Sequence, residues 1–305
     1  MKGLKGFTFS FGLAALVCLP LSAVAQINYT FQTVNAPGAR FTQLLGVNKN
    51  GIIAGYRGSG LPGHPNKGFT LVLPNIFTAE NFPGSVQTQV IGIDNNNTFD
   101  TAGFYIDGAG ANHGFLNVGG VFKTVDFPAT TSVPKVNQLL GLNAHGQSAG
   151  FDNDKAGNSH GYLYANLGGV FLVFTIPGAT SATATGVNDA GQTSGFYTDK
   201  AGAMHGFLLN QGQFTILNFP GATATQAFGL NNKGQVVGSY TDAAGLIHGF
   251  VWTKGTFQGP VDDPNAPGAT IINGINDGAT IVGFYGMCVS APVGATTCNG
   301  FVGTP

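Results

Sequence analysis

The feature that most constrains the fold of this chain is a repeat of about 45 residues that runs from Gln26 to Pro305. A Gly-aliphatic-Asn triplet, or a Gly-Ile-Asp version of it, begins at Gly46, Gly92, Gly141, Gly186, Gly229 and Gly274. The intervals between these glycines are 46, 49, 45, 43 and 45 residues. Each unit also carries a His-Gly-Phe anchor or a variant of it, beginning at Lys67, His113, His160, His205, His248 and Asn299. Such a fixed period means that every unit folds alike, so the repeat dictates the architecture.

Each unit reads as four short strands joined by tight turns. In the unit after Pro220, alternation and β-branched runs predict three strands and a turn into a fourth. The strands are Thr223–Leu230, Gln235–Tyr240 and His248–Thr253, and the last turn is Lys254-Gly255. Asn231–Gly234 has the asparagine and glycine positions of a type I turn. Four antiparallel strands in about 45 residues match one propeller blade, and no segment reads as a helix.

The two ends of the chain predict that the units close into a ring. In the fourth strand a phenylalanine precedes a proline by six residues, as in Phe214 and Pro220. The N-terminal stretch repeats this spacing with Phe31 and Pro37, and the chain ends in a third strand at Phe301. The N-terminal strand therefore fits as the missing outer strand of the last unit. That pairing removes the exposed edges that an open array would leave.

We therefore expect an all-β fold, a six-bladed β-propeller of four-stranded antiparallel blades closed by the N-terminal strand. The predicted blades are residues 37–82, 83–127, 128–176, 177–219, 220–266 and 267–305, the last completed by 27–36. A parallel β-helix fits less well because the turns favour antiparallel hairpins, and a β-sandwich does not require six equal units. The ten-residue spacing of Phe257 and Pro267 departs from the pattern and argues against the blade count.

The first 25 residues predict an exported protein. Two lysines precede an apolar run from Phe7 to Val17, and small residues lead to Ala25, as in a secretory signal peptide. Cys18 raises a lipoprotein alternative, which Val17 before it disfavours. No later segment has the ~20 apolar residues of a spanning helix. The sequence thus predicts residues 26–305 as one secreted domain, extracellular or periplasmic.

Composition limits the partners of this domain. Charged residues make up 8% of the chain, the formal net charge is −1, and the isoelectric point is near 6.6. Because nucleic-acid-binding proteins carry a basic patch, no such partner is predicted. We expect a monomer with no cofactor, and a glycan or surface polymer as its candidate partner.

The cysteines after the predicted cleavage site, Cys288 and Cys298, flank one loop of the last unit. In an exported chain a disulfide is the default, and closing this loop would contribute about 2–3 kcal/mol. A metal pair or a catalytic thiol is the alternative.

The repeat resembles a known family. Its Ile-Asn-Asp-x-Gly-x-Ile-Val-Gly pattern, followed by His-Gly-Phe, is similar to the extracellular HAF-repeat family, which is named for a His-Ala-Phe signature. This chain carries glycine where that signature has alanine, and the likeness covers essentially all of residues 26–305. The resemblance implies a secreted bacterial repeat protein, and the family offers no catalytic motif to carry over.

Four repeated histidines are candidate metal ligands: His113, His160, His205 and His248. On the third strands of neighbouring blades they would be ~15 Å apart, too far for one ion with ~2 Å bonds, so we predict no metal. Each follows an aspartate by six residues, and these aspartates are Asp107, Asp154, Asp199 and Asp242. We interpret each Asp–His pair as a structural clasp across one loop.

Two further sets recur near one face of the predicted ring. Tyrosines at the ends of the second strands, which could stack on sugars or pack between blades, are Tyr56, Tyr105, Tyr197, Tyr240 and Tyr285. Glutamines three residues before the first anchor, which could line a channel mouth or join blades, are Gln43, Gln89, Gln138 and Gln226. Packing and inter-blade bonding are the simpler interpretations.

Signals for catalysis are weak. Only two arginines follow residue 25, which is too few for the three-arginine clamp of sialidases. Glu80 is the one glutamate, so the pair of catalytic carboxylates of a glycosidase would have to be two aspartates. The adjacent pair Asp262-Asp263 lies in a loop that we expect to be solvated. The polar run Asp94–Asp100 has oxygens that could bind calcium, but a long polar turn is the simpler interpretation. No Gly-x-Ser-x-Gly nucleophile elbow occurs in the sequence.

Departures from the repeat locate a candidate ligand site. The longest loops between second and third strands follow Arg57 and Cys288, and in a closed ring they are neighbours. The residues predicted to form a site there are Arg40, Arg57, His64, Tyr56 and Tyr285. Loops on a rigid scaffold usually carry function. The alternative is that the arginines only pin two long loops.

Two functional classes follow. The favoured one is a noncatalytic binding or structural module for a glycan or cell-surface partner. The other is a carbohydrate-active or lactone-cleaving propeller enzyme, a hydrolase or lyase. A cluster of aspartates or histidines within ~5 Å at the channel mouth would favour the enzyme.

Overall fold

The computed structural model describes residues 27–58, 65–96, 99–290 and 297–305. The predicted signal peptide and His64 lie outside these ranges. The described chain is an all-β propeller built of antiparallel sheets, as the repeat predicts.

The first strand, β1 (Thr30–Thr33), precedes three four-stranded sheets whose strands follow chain order. The first sheet contains β2 (Phe41–Val47), β3 (Ile53–Gly58), β4 (Lys67–Val72) and β5 (Ile76–Ala79). The second contains β6 (Gln87–Ile93), β7 (Thr101–Ile106), β8 (Asn112–Val118) and β9 (Val121–Val125). The third contains β10 (Asn137–Leu142), β11 (Gln147–Asn153), β12 (Ser159–Ala165) and β13 (Val170–Val173).

The next two units form one eight-stranded sheet. The fourth unit contains β14 (Ala179–Val187), β15 (Thr193–Asp199), β16 (Met204–Asn210) and β17 (Gln213–Leu217). The fifth contains β18 (Ala224–Leu230), β19 (Gln235–Thr241), β20 (Ile247–Thr253) and β21 (Thr256–Gln258). Each unit is antiparallel within itself, and a single parallel pair, Met204 with Ala224, connects the two.

The last sheet combines the two ends of the chain. Its strands are β22 (Thr270–Ile275), β23 (Ile281–Tyr285), β24 (Asn299–Thr304) and, at the outer edge, β1. Thr33 lies opposite Phe301, and the Val34 N–H donates to the Gly300 carbonyl at 2.8 Å. The N-terminal strand therefore takes the outer position that the first three sheets fill with their own fourth strand.

The asparagine of the first anchor folds the turn after the inner strand in five units, and in four of them it also links neighbouring units. Asn143 Oδ1 accepts the N–H groups of His145 and Gln147 at 3.0 and 2.9 Å. Its Nδ2 donates to the carbonyl of Asn188 at 2.9 Å, one repeat further on. The same bond runs from Asn188 to Asn231, from Asn231 to Asn276 and from Asn276 to Asn48, at 3.0, 2.9 and 3.1 Å. One residue type thus stabilises both the turn and the contact between units.

The aromatic residue of the second anchor forms the core of each unit. These fully buried side chains are Phe69, Phe115, Tyr162, Phe207, Phe250 and Phe301. A phenylalanine from the outer strand packs on each, and Phe257 lies 5.2 Å from Phe250, centroid to centroid. The irregular spacing before Pro267 therefore leaves the packing of the fifth unit intact. Burying one such side chain contributes about 1.5–3 kcal/mol.

The loop after β23 is the one place among the described residues where a helix replaces the predicted turn. It forms α1 (Met287–Ser290), a single helical turn. Cys288 in α1 is bonded to Cys298, with a Cα–Cα distance of 5.3 Å, which confirms the predicted disulfide. In the part of the chain that the structure describes, no helix has the length and apolarity to cross a bilayer.

Candidate functional site

The inner strands approach one another most closely at the glycines of the first anchor. A Cβ added to Gly141 would lie 2.8 Å from the Cα of Gly186, and one added to Gly274 would lie 2.7 Å from the carbonyl oxygen of Leu45. These distances are too short for a side chain, which explains why this position is glycine in all six units. The six glycines surround a constriction on the propeller axis.

On one side of this constriction lies a cavity of about 600 Å³, which we call the axial cavity. Five of the six units line the cavity with the residue three before the first anchor and its cross-strand partner on the second strand. The pairs that line the cavity are Gln43–Tyr56, Gln89–Phe104, Gln138–Phe151, Thr183–Phe196 and Ile271–Phe284. In the fifth unit the corresponding pair is Gln226 and Ser239. The volume is typical of a small-molecule pocket (~300–1,000 Å³).

The floor of the axial cavity is formed by the residue directly before each first-anchor glycine. These residues are Leu45, Ile91, Leu140, Thr185, Phe228 and Asn273. Four of them are apolar, and the Thr185 hydroxyl lies 2.8 Å from the Phe228 carbonyl, so its donor is satisfied. Asn273 Oδ1 is buried and has no hydrogen-bond partner.

The register corrects the grouping of the repeated tyrosines. Tyr56 pairs with Gln43, as Phe104 pairs with Gln89, so Tyr56 faces the axis. Tyr105 is one position further along its strand and points to the opposite face of the sheet. Arg57 occupies that position in the first unit. Tyr56 was misassigned because it follows the second-strand glycine directly, whereas Tyr105 follows its glycine after one intervening residue.

A hydrogen-bonded chain connects the axial cavity to the disulfide. The Tyr56 hydroxyl donates to Gln43 Oε1, and Gln43 Nε2 lies 3.6 Å from Cys298 Sγ. Gln138 also bonds outside the axis, to Asn112 Oδ1 at 3.2 Å. Three of the four predicted glutamines line the cavity, and Gln226 does not.

The described residues of the predicted edge site do not form one cluster. The Cys298 N–H donates to the Arg40 carbonyl at 3.0 Å, so the last unit does meet the first at this point. Arg57 Nη1 donates to the Pro37 carbonyl at 3.2 Å, a contact that pins a loop. Tyr285 is buried, and its hydroxyl bonds Thr33 Oγ1 at 2.8 Å, on the side of β1. Tyr56 faces the axial cavity, and His64 lies outside the described residues.

Each predicted Asp–His pair is within hydrogen-bond distance. The Nε2–Oδ2 distances are 3.3 Å for His113–Asp107, 3.2 Å for His160–Asp154, 3.3 Å for His205–Asp199 and 3.4 Å for His248–Asp242. Three of the histidines also bond at Nδ1, to Asp126 at 2.6 Å, Asn218 at 2.8 Å and Asp262 at 2.6 Å. These additional partners lie 13 or 14 residues after the histidine. They were missed because the residue type at this position changes from unit to unit, and Val173 stands there after His160.

The loop aspartates have lowered pKa values. Side-chain and backbone hydrogen bonds from Asn158 lower the pKa of Asp154 to about 2. Backbone N–H groups of the same kind of loop are the leading cause at Asp107, Asp199 and Asp242, whose pKa values are also lowered. His113 behaves differently. Burial opposes its charge, but Asp126 and Asp107 raise its pKa above the ordinary value.

We expect Asp154→Asn to be less stable than wild type at neutral pH and to approach wild-type stability at low pH. Because the folded pKa of Asp154 is below the unfolded value of about 3.9, its stabilisation is present above that pH and is lost as the pH falls toward 2. Asparagine keeps the acceptor oxygen but does not titrate. The difference in melting temperature between wild type and variant, measured from pH 6 to pH 2, should therefore shrink on acidification. A difference that stays constant over this range would contradict the assignment.

The acidic residues considered for catalysis have structural partners. Asp262 bonds His248, and Asp263 is fully buried, so the prediction that this pair is solvated was wrong. The inserted loop folds back and brings Asp262 to the position that Asp126 holds in the second unit. Glu80 accepts hydrogen bonds from Thr101 Oγ1 and from Asn117 Nδ2, and its burial raises its pKa. These carboxylates join loops and units.

The polar run at Asp94 forms a turn in its described part. The Asp94 N–H donates to the Asp100 carbonyl at 3.0 Å, and Asp94 Oδ1 accepts the Asp100 N–H at 3.1 Å. The carboxylate is therefore occupied by its own loop. No group of three or more metal-ligating side chains occurs among the residues that the structure describes.

Comparisons with solved structures agree with the fold. The lectin SapL1, solved with alpha methyl fucoside, is 9% identical and has a TM-score of 0.54 over 81% of this chain and 88% of its own. AofleA from Arthrobotrys oligospora is 9% identical, with a TM-score of 0.52 over 84% and 81%. A lectin from Aleuria aurantia, described as a six-bladed β-propeller with a novel fucose recognition mode, is 10% identical, with a TM-score of 0.46 over 84% and 88%.

At these identities the likeness shows the fold alone, and it defines the class of the protein as an all-β propeller. No protein-family model matches the chain, and no curated protein matches it.

Proposed function

We propose that this protein is a secreted, noncatalytic, six-bladed β-propeller that binds a glycan in its axial cavity. The ring closes through β1, and the chain is exported after cleavage near Ala25, as the resemblance to bacterial HAF-repeat proteins implies. The observation that carries the function is the pairing of an aromatic ring with a polar side chain on successive units around the axis. Aromatic faces stack on the apolar face of a sugar, and amides bond its hydroxyl groups.

Three kinds of contact support the closed ring. β1 pairs with β24 at the outer edge of the last sheet. The Asn276 side chain reaches the Asn48 carbonyl, and Gly274 lies against Gly46 at the axis. These contacts join the last unit to the first on the outer edge, in the turns and at the axis.

The chemistry of the lining supports binding over catalysis. Among the described residues that line the axial cavity, Tyr56 is the only ionisable side chain, and burial raises its pKa. The Asp–His pairs are not part of the lining. General acid–base chemistry needs a titrating group within hydrogen-bond reach of the substrate, and the cavity offers none near neutral pH. The disulfide is consistent with an exported protein.

The relation to lectins gives a starting set of ligands. SapL1 was solved with alpha methyl fucoside, so fucosides belong in the first screen together with other neutral and acidic glycans. The screen uses an array and residues 26–305 with the disulfide formed.

We expect Phe104→Ser and Phe151→Ser each to weaken glycan binding about tenfold or more, because each ring buries apolar surface worth about 1.5–3 kcal/mol. Serine stands at the equivalent position in the fifth unit, as Ser239, so the fold accepts it there. The Arg40→Ala, Arg57→Ala double variant tests the edge site and should bind normally. Titration calorimetry with the strongest array hit measures all three. Loss of binding in the arginine variant, with both serine variants unaffected, would show that the glycan binds at the edge site and not in the axial cavity.

A further inference from the structure

Asn273 is the exception in the floor of the axial cavity. The same position holds leucine or isoleucine in the first three units, and Thr185 and Phe228 in the next two. Thr185 satisfies its hydroxyl on a backbone carbonyl 2.8 Å away. Asn273 makes no such bond, since its Oδ1 is buried and unpartnered.

A buried amide oxygen without a partner destabilises the folded protein, because it loses its bonds to water and gains none in return. An apolar residue fits this position in four of the other five units, so packing does not require a polar one. Rotation about χ2 of asparagine exchanges the oxygen and nitrogen ends of the amide. Asn273 can therefore turn either an acceptor or a donor toward a ligand in the axial cavity.

The rest of the lining sets the charge of that ligand. Within the described part of the cavity wall no carboxylate, ammonium or guanidinium group occurs, and the wall is mainly aromatic and aliphatic. A charged ligand would lose its hydration there without finding an opposite charge. A neutral ligand with hydroxyl groups can bond the amide of Gln89 and the amide oxygen of Gln138, whose nitrogen is held by Asn112. Phe104 and Phe151 beside them cover an apolar face.

We infer that Asn273 is the specificity-determining residue of the axial cavity, and that its ligand is an uncharged saccharide end with a hydroxyl group that reaches the floor. This inference rests on the proposed glycan-binding function. It adds that Asn273 contacts the ligand at the floor of the cavity and that acidic sugars are excluded.

The test is Asn273→Leu, which copies Leu45 and Leu140 at the equivalent position. We expect the melting temperature to stay the same or rise, because an unpaired polar group is removed. We expect the affinity for the strongest neutral glycan of the array to fall about tenfold or more. Asn273→Thr, which copies Thr185, serves as a second variant and should bind with intermediate affinity.

The probes are that neutral glycan and the matching sugar that carries a carboxylate at C6, both measured by calorimetry. Weaker binding of the uronic acid, together with the loss in Asn273→Leu, supports the inference. Equal affinity of Asn273→Leu and wild type for the neutral glycan overturns it and leaves glycan binding intact. Tighter binding of the uronic acid also overturns it. A wild-type protein that binds no glycan on the array overturns the proposed function and this inference with it.

Discussion

Gly238→Ala is expected to destabilise the protein by about 3 kcal/mol or more, although it adds a single methyl group. Gly238 lies in the middle of β19, and a Cβ there would be 2.0 Å from the Gln226 carbonyl oxygen and 2.9 Å from the Phe250 ring. The carbonyl belongs to the neighbouring strand and the ring is fully buried, so neither can move without disturbing the sheet. The Phe250 ring packs beneath the glycine because that position has no side chain.

The matched control is Gly108→Ala in the loop between β7 and β8. A Cβ at Gly108 meets no atom within 4 Å, and the equivalent residue in the fifth unit is Ala243. This substitution should be neutral or stabilise by about 0.4–1 kcal/mol, since it reduces the freedom of the unfolded chain. Chemical denaturation of both variants gives the comparison. For a domain of this size Gly238→Ala should also lower the melting temperature by about 6 °C or more. Equal stability of the two variants would contradict the packing argument.

The repeat made most of the fold predictable from the sequence. Its period of about 45 residues predicted a four-stranded unit. The strands predicted after Pro220 agree with β18, β19 and β20 to within a residue or two at each end. The phenylalanine–proline spacing led to the pairing of the N-terminal strand, which β1 and β24 make. These features follow from local residue pattern, which is repeated and therefore visible.

For the axial cavity the sequence offered only the alternative that repeated glutamines line a channel mouth, and the aromatic residues beside them could not be found in the same way. The lining depends on which face of a strand each residue occupies, and a shift of one position reverses the face. Tyr56 was grouped with Tyr105 for this reason. The available signal was the residue after the second-strand glycine, which is aromatic in five units and is Ser239 in the fifth. The partners Asp126 and Asp262 were missed because their position is not acidic in every unit, since Val173 and Asn218 stand at the equivalent places.

Removal of residues 27–36 is expected to abolish cooperative folding. This deletion takes away β1 and the buried side chains Val34 and Ala36, and it leaves β24 as an open edge. Phe301 is fully buried under Phe31, 5.2 Å away between ring centroids, and would face solvent. A domain is stable by only about 5–15 kcal/mol, so the loss of a whole strand and its core contacts exceeds what the fold can absorb. The exposed apolar edge should also cause aggregation.

A circular permutant separates the loss of closure from the loss of sequence. In this variant residues 37–305 are followed by a short glycine-rich linker and then by residues 27–36. Because Thr30 lies opposite Thr304 in antiparallel register, the linker needs to span only a hairpin turn. The moved segment then becomes an ordinary fourth strand of the last unit, and the melting temperature should return to within a few degrees of wild type. Thermal unfolding and size-exclusion chromatography of the three proteins decide the matter. If the deletion variant unfolds as cooperatively as wild type, or the permutant fails as the deletion does, β1 does not complete the last sheet and the closed ring is wrong.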